Sequence, residues 1–262
     1  MPRIRDTAAA VLTVVIVLAG VTRDDRQLGA RAEATSLAVG PDTRLLIFAP
    51  HPDDETLGAG GTIAKFSQQG HEVAVLVVSG HLPPVYSRED YETTVEEAKK
   101  AFAVLGVKSS RFLEIPATMV GQQPVHIVNG RIGEVVKEIK PHIVLCPFPD
   151  RHVDHHAVFE SVMVATRPVG EGRGIEIVAA YEALSETHWN APHIEANFVP
   201  NWVVDITEHM DRKLEAVGCY ASQIPASPGA RSIDAVNALA RFRGTQAGFG
   251  FGEGFQIIRM IG

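Results

Sequence analysis

The chain has 262 residues, a net charge of −7 and 45% hydrophobic residues, enough for one large α/β domain with a full core. An acidic balance with no run of Lys or Arg excludes a nucleic-acid surface, because phosphate binding needs clustered cations. Cys146 and Cys219 lie far apart in apolar settings without C-x-x-C spacing, so they read as buried thiols rather than a bridge or a zinc pair.

Arg3 and Arg5 precede an apolar stretch over residues 7–21. That is shorter than the roughly 20 residues of a membrane-spanning helix and suits a secretion-signal core. A signal or weak anchor, an extension ahead of a later start and a docked helix all remain open. A cleavage site at Ala30-Arg31-Ala32 would lie far downstream. Residues 1–40 are therefore set apart from a domain expected over residues 41–262. The location stays open between a cytoplasmic catalytic domain and one exported or anchored through residues 7–21. Membrane contact is expected only if that segment is retained.

From residue 43 strand-like and helix-like stretches alternate. Residues 44–49 read as a buried strand, 56–69 as a helix closed by Gly70, and 72–78 as a Val-rich strand. Residues 89–105 form an amphipathic helix, 111–115 a strand, 125–140 a helix stopped by Pro141, and 143–148 a strand. A helix over 155–166 and a strand over 176–184 follow. This alternation predicts an α/β fold with a mostly parallel sheet and helices on both faces. Residues 198–206 then read as one or two strands, 208–222 and 232–243 as helices, and 255–260 as a closing strand, together a smaller C-terminal lobe.

Two polar clusters follow two of the predicted strands. Ala49-Pro50-His51-Pro52-Asp53-Asp54-Glu55 follows the first, and Asp150-Arg151-His152-Val153-Asp154-His155-His156 follows the strand at 143–148. Strand ends of this kind hold the chemistry of open α/β sheets. His51 and Asp54 are three apart across a Pro-containing turn, so both can converge on one ion while Asp53 points elsewhere. An imidazole and a carboxylate suit zinc, and a third ligand would leave the open position that catalysis needs. His155 is the expected third ligand, with His156 as the register alternative. His152 lies one turn away, near enough to face a substrate carbonyl. Asp154 is expected to hold its tautomer and favour its charged form. The plainer readings are an Asp that caps a helix and a solvated His-rich loop. Gly58, Gly60 and Gly61 do not complete a dinucleotide fingerprint, because Ile63 stands at its third position. They read as helix-to-sheet packing and a tight loop around the metal.

Residues 50–55 with Gly60-Gly61, followed by His152-x-Asp154-His155, resemble the LmbE-like (PIG-L) family of zinc-dependent N-deacetylases. Tyr181-Glu182, residues 213–223 with their Tyr-x-Ser-Gln ending, and Gly252-Glu253-Gly254-Phe255 extend the similarity over roughly residues 43–260. The resemblance implies a Rossmann-like fold and hydrolysis of an N-acetyl amide, usually on a glucosamine unit. Many members carry an Arg about three residues before the Glu of the helix after the second strand. Here Thr94 precedes Glu97, and the nearest arginine is Arg88. Substrate contacts are therefore expected from the loop holding His81, Tyr86 and Arg88.

The combined expectation is a metal-dependent hydrolase acting on an N-acetylglucosamine-type sugar or glycoconjugate. His51, Asp54 and His155 would hold Zn2+, with Fe2+ or another divalent metal as alternatives. Asp53 would serve as general base, and His152 with Asp154 would stabilise the oxyanion. The expected partner is a small N-acetylated sugar, not nucleic acid, and a homo-oligomer is left open. A thiol-cofactor precursor deacetylase or conjugate amidase is the nearest alternative. A non-catalytic sugar- or nucleotide-binding Rossmann module is the alternative of another class, although ligand binding alone needs neither Asp53 nor the His152/Asp154 pair.

Overall fold

Strand β1, Arg44–Ala49, is buried at every position but its first. A run apolar on both faces belongs inside a parallel sheet covered by helices. In the computed structural model, which describes residue 40 and residues 42–261, β1 lies near the middle of a seven-stranded sheet. The readings made for residues 7–21 and for the cleavage site fall outside the described residues. Among those described, no helix is long and apolar enough to cross a membrane.

The remaining strands are β2 (Glu72–Gly80), β3 (Ser109–Pro116), β4 (Ile143–Pro147), β5 (Ile177–Tyr181), β6 (Trp202–Asp205) and β7 (Gly252–Met260). Their order is β3-β2-β1-β4-β5-β7-β6. The first five run parallel, and β7 is antiparallel to both of its neighbours. The C-terminal lobe thus extends the same sheet. Because β1 pairs with β2 on one side and β4 on the other, the chain leaves β1 in opposite directions. The crevice at such a switch point opens at the C-terminal strand ends, where both polar clusters emerge.

The helices are α1 (Asp54–Gln68), α2 (Arg88–Leu105), α3 (Val125–Ile139), α4 (Val153–Ala165), α5 (Met210–Gly218) and α6 (Ile233–Ala247). α2 starts with a capping box, Ser87 and Asp90 each bonding the other's backbone N–H, and ends at Gly106 in the left-handed region. α1 starts differently. Asp53 stands at its N-cap with φ 118° and makes no side-chain cap bond, so the helix-cap reading of this Asp does not hold.

The three glycines lie inside α1 rather than in a loop around the site. A Cβ on Gly58 would sit 2.2 Å from the Tyr181 ring, and one on Gly61 would sit 2.6 Å from Ile206 Cδ1. They let α1 press onto the sheet. Two other boundaries differ from the sequence pattern. β5 stops at Tyr181, because residues 182–187 fold back as a buried polar wall over the strand ends. α5 stops at Gly218, because Tyr220 and Ser222 are drawn instead to Glu55 and Glu97.

Candidate active site and metal centre

The turn after β1 brings His51 and Asp54 together at the strand end. Asp54 Oδ2 accepts the His51 backbone N–H at 3.0 Å and lies 3.1 Å from His51 Nδ1. His155, in the first turn of α4 and fully buried, places Nε2 3.3 Å from the same oxygen. That nitrogen makes no hydrogen bond despite the short separation. Two ligand atoms about 2.0–2.1 Å from one tetrahedral ion are about 3.3–3.4 Å apart. The spacing is therefore that of donors aimed at a shared third atom. His152 adds a nearby imidazole, and the three rings offer nitrogens within 4.8 Å of one another. Two imidazoles and a carboxylate around an orphaned buried nitrogen fit a divalent cation such as zinc or iron(II). His156, the register alternative, is exposed.

His155 and His51 each have a carboxylate behind them. His155 Nδ1 is 3.1 Å from Asp150 Oδ2, which also accepts the Thr187 hydroxyl at 2.8 Å. His51 Nε2 is 3.0 Å from Asp154 Oδ2. Such outer partners fix ring orientation and raise ligand basicity. Burial works against the charged form of His51, yet Asp154 and Asp54 outweigh it and hold the proton up to about 9. Burial likewise opposes the charge on His155, which Asp54 and Asp150 raise to about 10. Burial opposes ionisation of Asp54, but His155 and His51 bring its carboxyl well below the usual range. The negative potential that holds protons on these rings also favours a cation in their place.

One expectation needs correction. The Asp154 carboxylate does not orient His152. It points under the strand ends, where it accepts the Thr118 N–H at 2.6 Å and the Val120 N–H at 3.1 Å besides meeting His51. Its link to His152 is through the backbone, the Asp154 N–H donating to His152 Nδ1 at 3.2 Å. An accepting Nδ1 leaves the proton of the neutral ring on Nε2. Burial, with the adjacent His51 and His155, lowers His152 to about 4, so it is neutral rather than charged at pH 7.

Asp53 is buried and turned to a different partner. Its Oδ2 accepts Arg231 Nη1 at 3.0 Å. Burial is the largest influence and raises Asp53 to about 7, against the opposing pull of Arg231. Arg231 also donates to Ser185 Oγ at 3.0 Å and Glu186 Oε1 at 3.4 Å, and Arg151 closes on Glu186 Oε2 at 2.7 Å. The chain Asp53–Arg231–Glu186–Arg151 links the two polar clusters. Glu55 lies beneath it, fully buried, accepting Tyr220 Oη at 2.5 Å and the Thr56 hydroxyl at 2.6 Å.

The three loop residues are placed unequally. His81 packs edge-on against Tyr86, with ring centroids 4.3 Å apart. Burial and then the nearby charge of His51 lower its pKa. Arg88 faces elsewhere: its guanidinium is 3.8 Å from Glu114 on β3 and 5.5 Å over the Tyr91 ring. The arginine beside Asp53 is Arg231, which carries no local sequence signal. Asp150 belongs to the second cluster and Tyr220 to the Tyr-x-Ser-Gln ending, so both lay within recognised motifs.

Residues 46–166 match the family model PIG-L: GlcNAc-PI de-N-acetylase. The diacetylchitobiose deacetylase of Thermococcus kodakarensis is 29% identical over 235 residues, covering 82% of this chain and 83% of that protein. The solved N,N'-diacetylchitobiose deacetylase of Pyrococcus horikoshii superposes with a TM-score of 0.65 at 25% identity, over 82% of this chain and 84% of that one. GalB, the 4-carboxy-2-hydroxymuconate hydratase of Pseudomonas putida KT2440, superposes with a TM-score of 0.66 over 84% and 98% of the two chains. At 21% identity that likeness concerns the fold alone.

Proposed function

Because residues 46–166 belong to the PIG-L (LmbE-like) family, we propose that the chain is a zinc-dependent amide hydrolase. It removes the N-acetyl group of an N-acetylglucosamine-type sugar or glycoconjugate, and residues 41–262 form its catalytic domain. The observation that carries this reading is the buried, unbonded His155 Nε2 facing Asp54 and His51, with the carboxylate of Asp53 beside them.

His51, Asp54 and His155 would hold the cation, which when bound polarises the acetamide carbonyl and acidifies water. Asp53 takes a proton from the attacking water and returns it to the departing nitrogen, so that acetate and a free amine leave. Arg231 keeps the Asp53 carboxylate oriented while that proton is held. His152 presents its Nε2–H to the carbonyl oxygen as negative charge builds there, which a neutral imidazole does without giving up its proton. Asp154 serves by holding His51. His81 and Tyr86 form the wall nearest the sugar, whereas Arg88 reaches substrate only by leaving Glu114.

The test is acetate release by the zinc-loaded protein from N-acetylglucosamine, N,N'-diacetylchitobiose and glucosaminyl conjugates. Release from at least one, abolished by Asp53→Ala, is the expected result. Full metal loading with no acetate from any of them would sink the reading in favour of a sugar-binding module.

A further inference from the structure

A buried ion pair sits against the second turn of α1. In an α-helix the Gly61 N–H and the Leu57 carbonyl belong to one rung of the backbone ladder. Here Lys213 Nζ donates to the Leu57 carbonyl at 2.8 Å, and the Gly61 N–H donates to Glu253 Oε1 at 2.8 Å. Lys213 Nζ and Glu253 Oε1 are themselves 2.6 Å apart, so one pair binds both sides of that rung. Glu253 Oε2 takes two further donors from the helix, the Thr62 N–H at 2.7 Å and the Thr62 hydroxyl at 2.6 Å. Lys213 comes from α5 and Glu253 from β7, and each is only 3% exposed.

Lys and Glu buried together against the backbone of a helix are unusual. Two apolar residues would fill the same space, and such exchanges are often neutral or stabilising. What apolar packing lacks is resistance to sliding, since its contacts are non-directional. A carboxylate held by three helix donors, with an ammonium on the carbonyl of the same rung as Gly61, fixes the helix along its axis. The ends of that axis matter: Asp54 opens α1 one turn before Leu57, and Asp53 immediately precedes it. Just beyond α5, Tyr220 grips the same end through Glu55.

We propose that Lys213 and Glu253 are positioning residues for the active centre. They set the axial placement of α1, and with it the placement of Asp54 as metal ligand and Asp53 as base. The inference rests on the roles proposed above for those two aspartates. Neither Lys213 nor Glu253 hydrogen-bonds His51, Asp53, Asp54 or His155; their partners are Leu57, Gly61, Thr62 and each other.

The experiment uses the full chain and Zn2+, with affinity read by competition against a chromophoric chelator, alongside thermal midpoints and acetate release from N,N'-diacetylchitobiose. The double variant Lys213→Met/Glu253→Gln removes both charges together. It is expected to melt no earlier than the parent yet bind Zn2+ about tenfold more weakly and turn over about tenfold more slowly. Glu253→Asp keeps the charge but is one methylene too short to reach both helix amides and Lys213, and the same weakening is expected. Parental Zn2+ affinity in the folded double variant overturns the proposal, as does parental affinity in Glu253→Asp if the double variant does not fold. Failure of both variants to fold overturns it too, since the pair would then serve stability alone. A parent that binds Zn2+ without releasing acetate overturns the proposed reaction but leaves the affinity comparison decisive. A parent that binds no Zn2+ overturns both.

Discussion

Arg231 Nη1 donates to Asp53 Oδ2 at 3.0 Å, joining two residues 178 positions apart. A buried carboxylate beside Asp54 and Glu55 resists ionisation, and Arg231 is the larger of the two cations that oppose this, His51 being the other. Replacing Arg231 by Met raises the Asp53 carboxyl further and favours its protonated form, which cannot accept a proton. Turnover should fall about 100-fold, within the range for loss of general base catalysis, while zinc content stays at the parental level. Partial recovery on adding guanidinium to the assay would tie the loss to the side chain itself. Parental turnover in this variant would remove Arg231 from the account.

Asp53→Ala should retain zinc and lose about 10²–10⁴ in kcat. His155→Ala should lose both metal and turnover. Metal analysis of the two purified proteins separates base from ligand in one measurement, and a zinc-free Asp53→Ala would reverse the assignment.

Asp154 and His152 make an unequal pair. If Asp154 acts behind His51, Asp154→Asn weakens zinc binding about 10–100-fold. His152→Ala should keep the metal and lose about 10²–10³ in kcat, the usual range for one oxyanion donor. Chelator competition on both variants is the check. Unchanged zinc affinity in Asp154→Asn would return Asp154 to the side of His152.

Gly58→Ala tests how closely α1 is seated. The new methyl would lie 2.2 Å from the Tyr181 ring and 2.9 Å from the Glu182 carbonyl oxygen, neither of which yields without moving the sheet end. Overpacking of this kind costs about 1–3 kcal/mol. Urea unfolding should show that loss as an earlier midpoint at unchanged slope.

Much of the fold is legible because its signals are local. Arg44–Ala49 and Ile143–Pro147 are apolar runs, and each polar cluster follows its strand directly. The candidate ligands are legible for the same reason, since His51 and Asp54 lie within one turn and His155 within one motif. Arg231 is not, because nothing around residue 231 signals a partner at residue 53; only the folded path of residues 219–232 brings it there. The contacts of the Asp154 carboxylate are hidden from the sequence for another reason. Its spacing from His152 fits an orienting pair, but the amides of Thr118 and Val120 draw its carboxylate away. The glycines were assigned to packing and to a loop, and only the packing role matches their place inside α1.

The glycine face of α1 seats the helix that carries Asp54. With Tyr181 and Ile206 filling the space where side chains at Gly58 and Gly61 would stand, the helix has no room to retreat. The wall that carries Asp53 and Asp54 therefore presents the same geometry whatever enters. Residues 83–88, which follow His81 and hold Tyr86, are by contrast exposed. Differences in which amide is cut can accumulate there by substitution or insertion without disturbing the atoms that cut it.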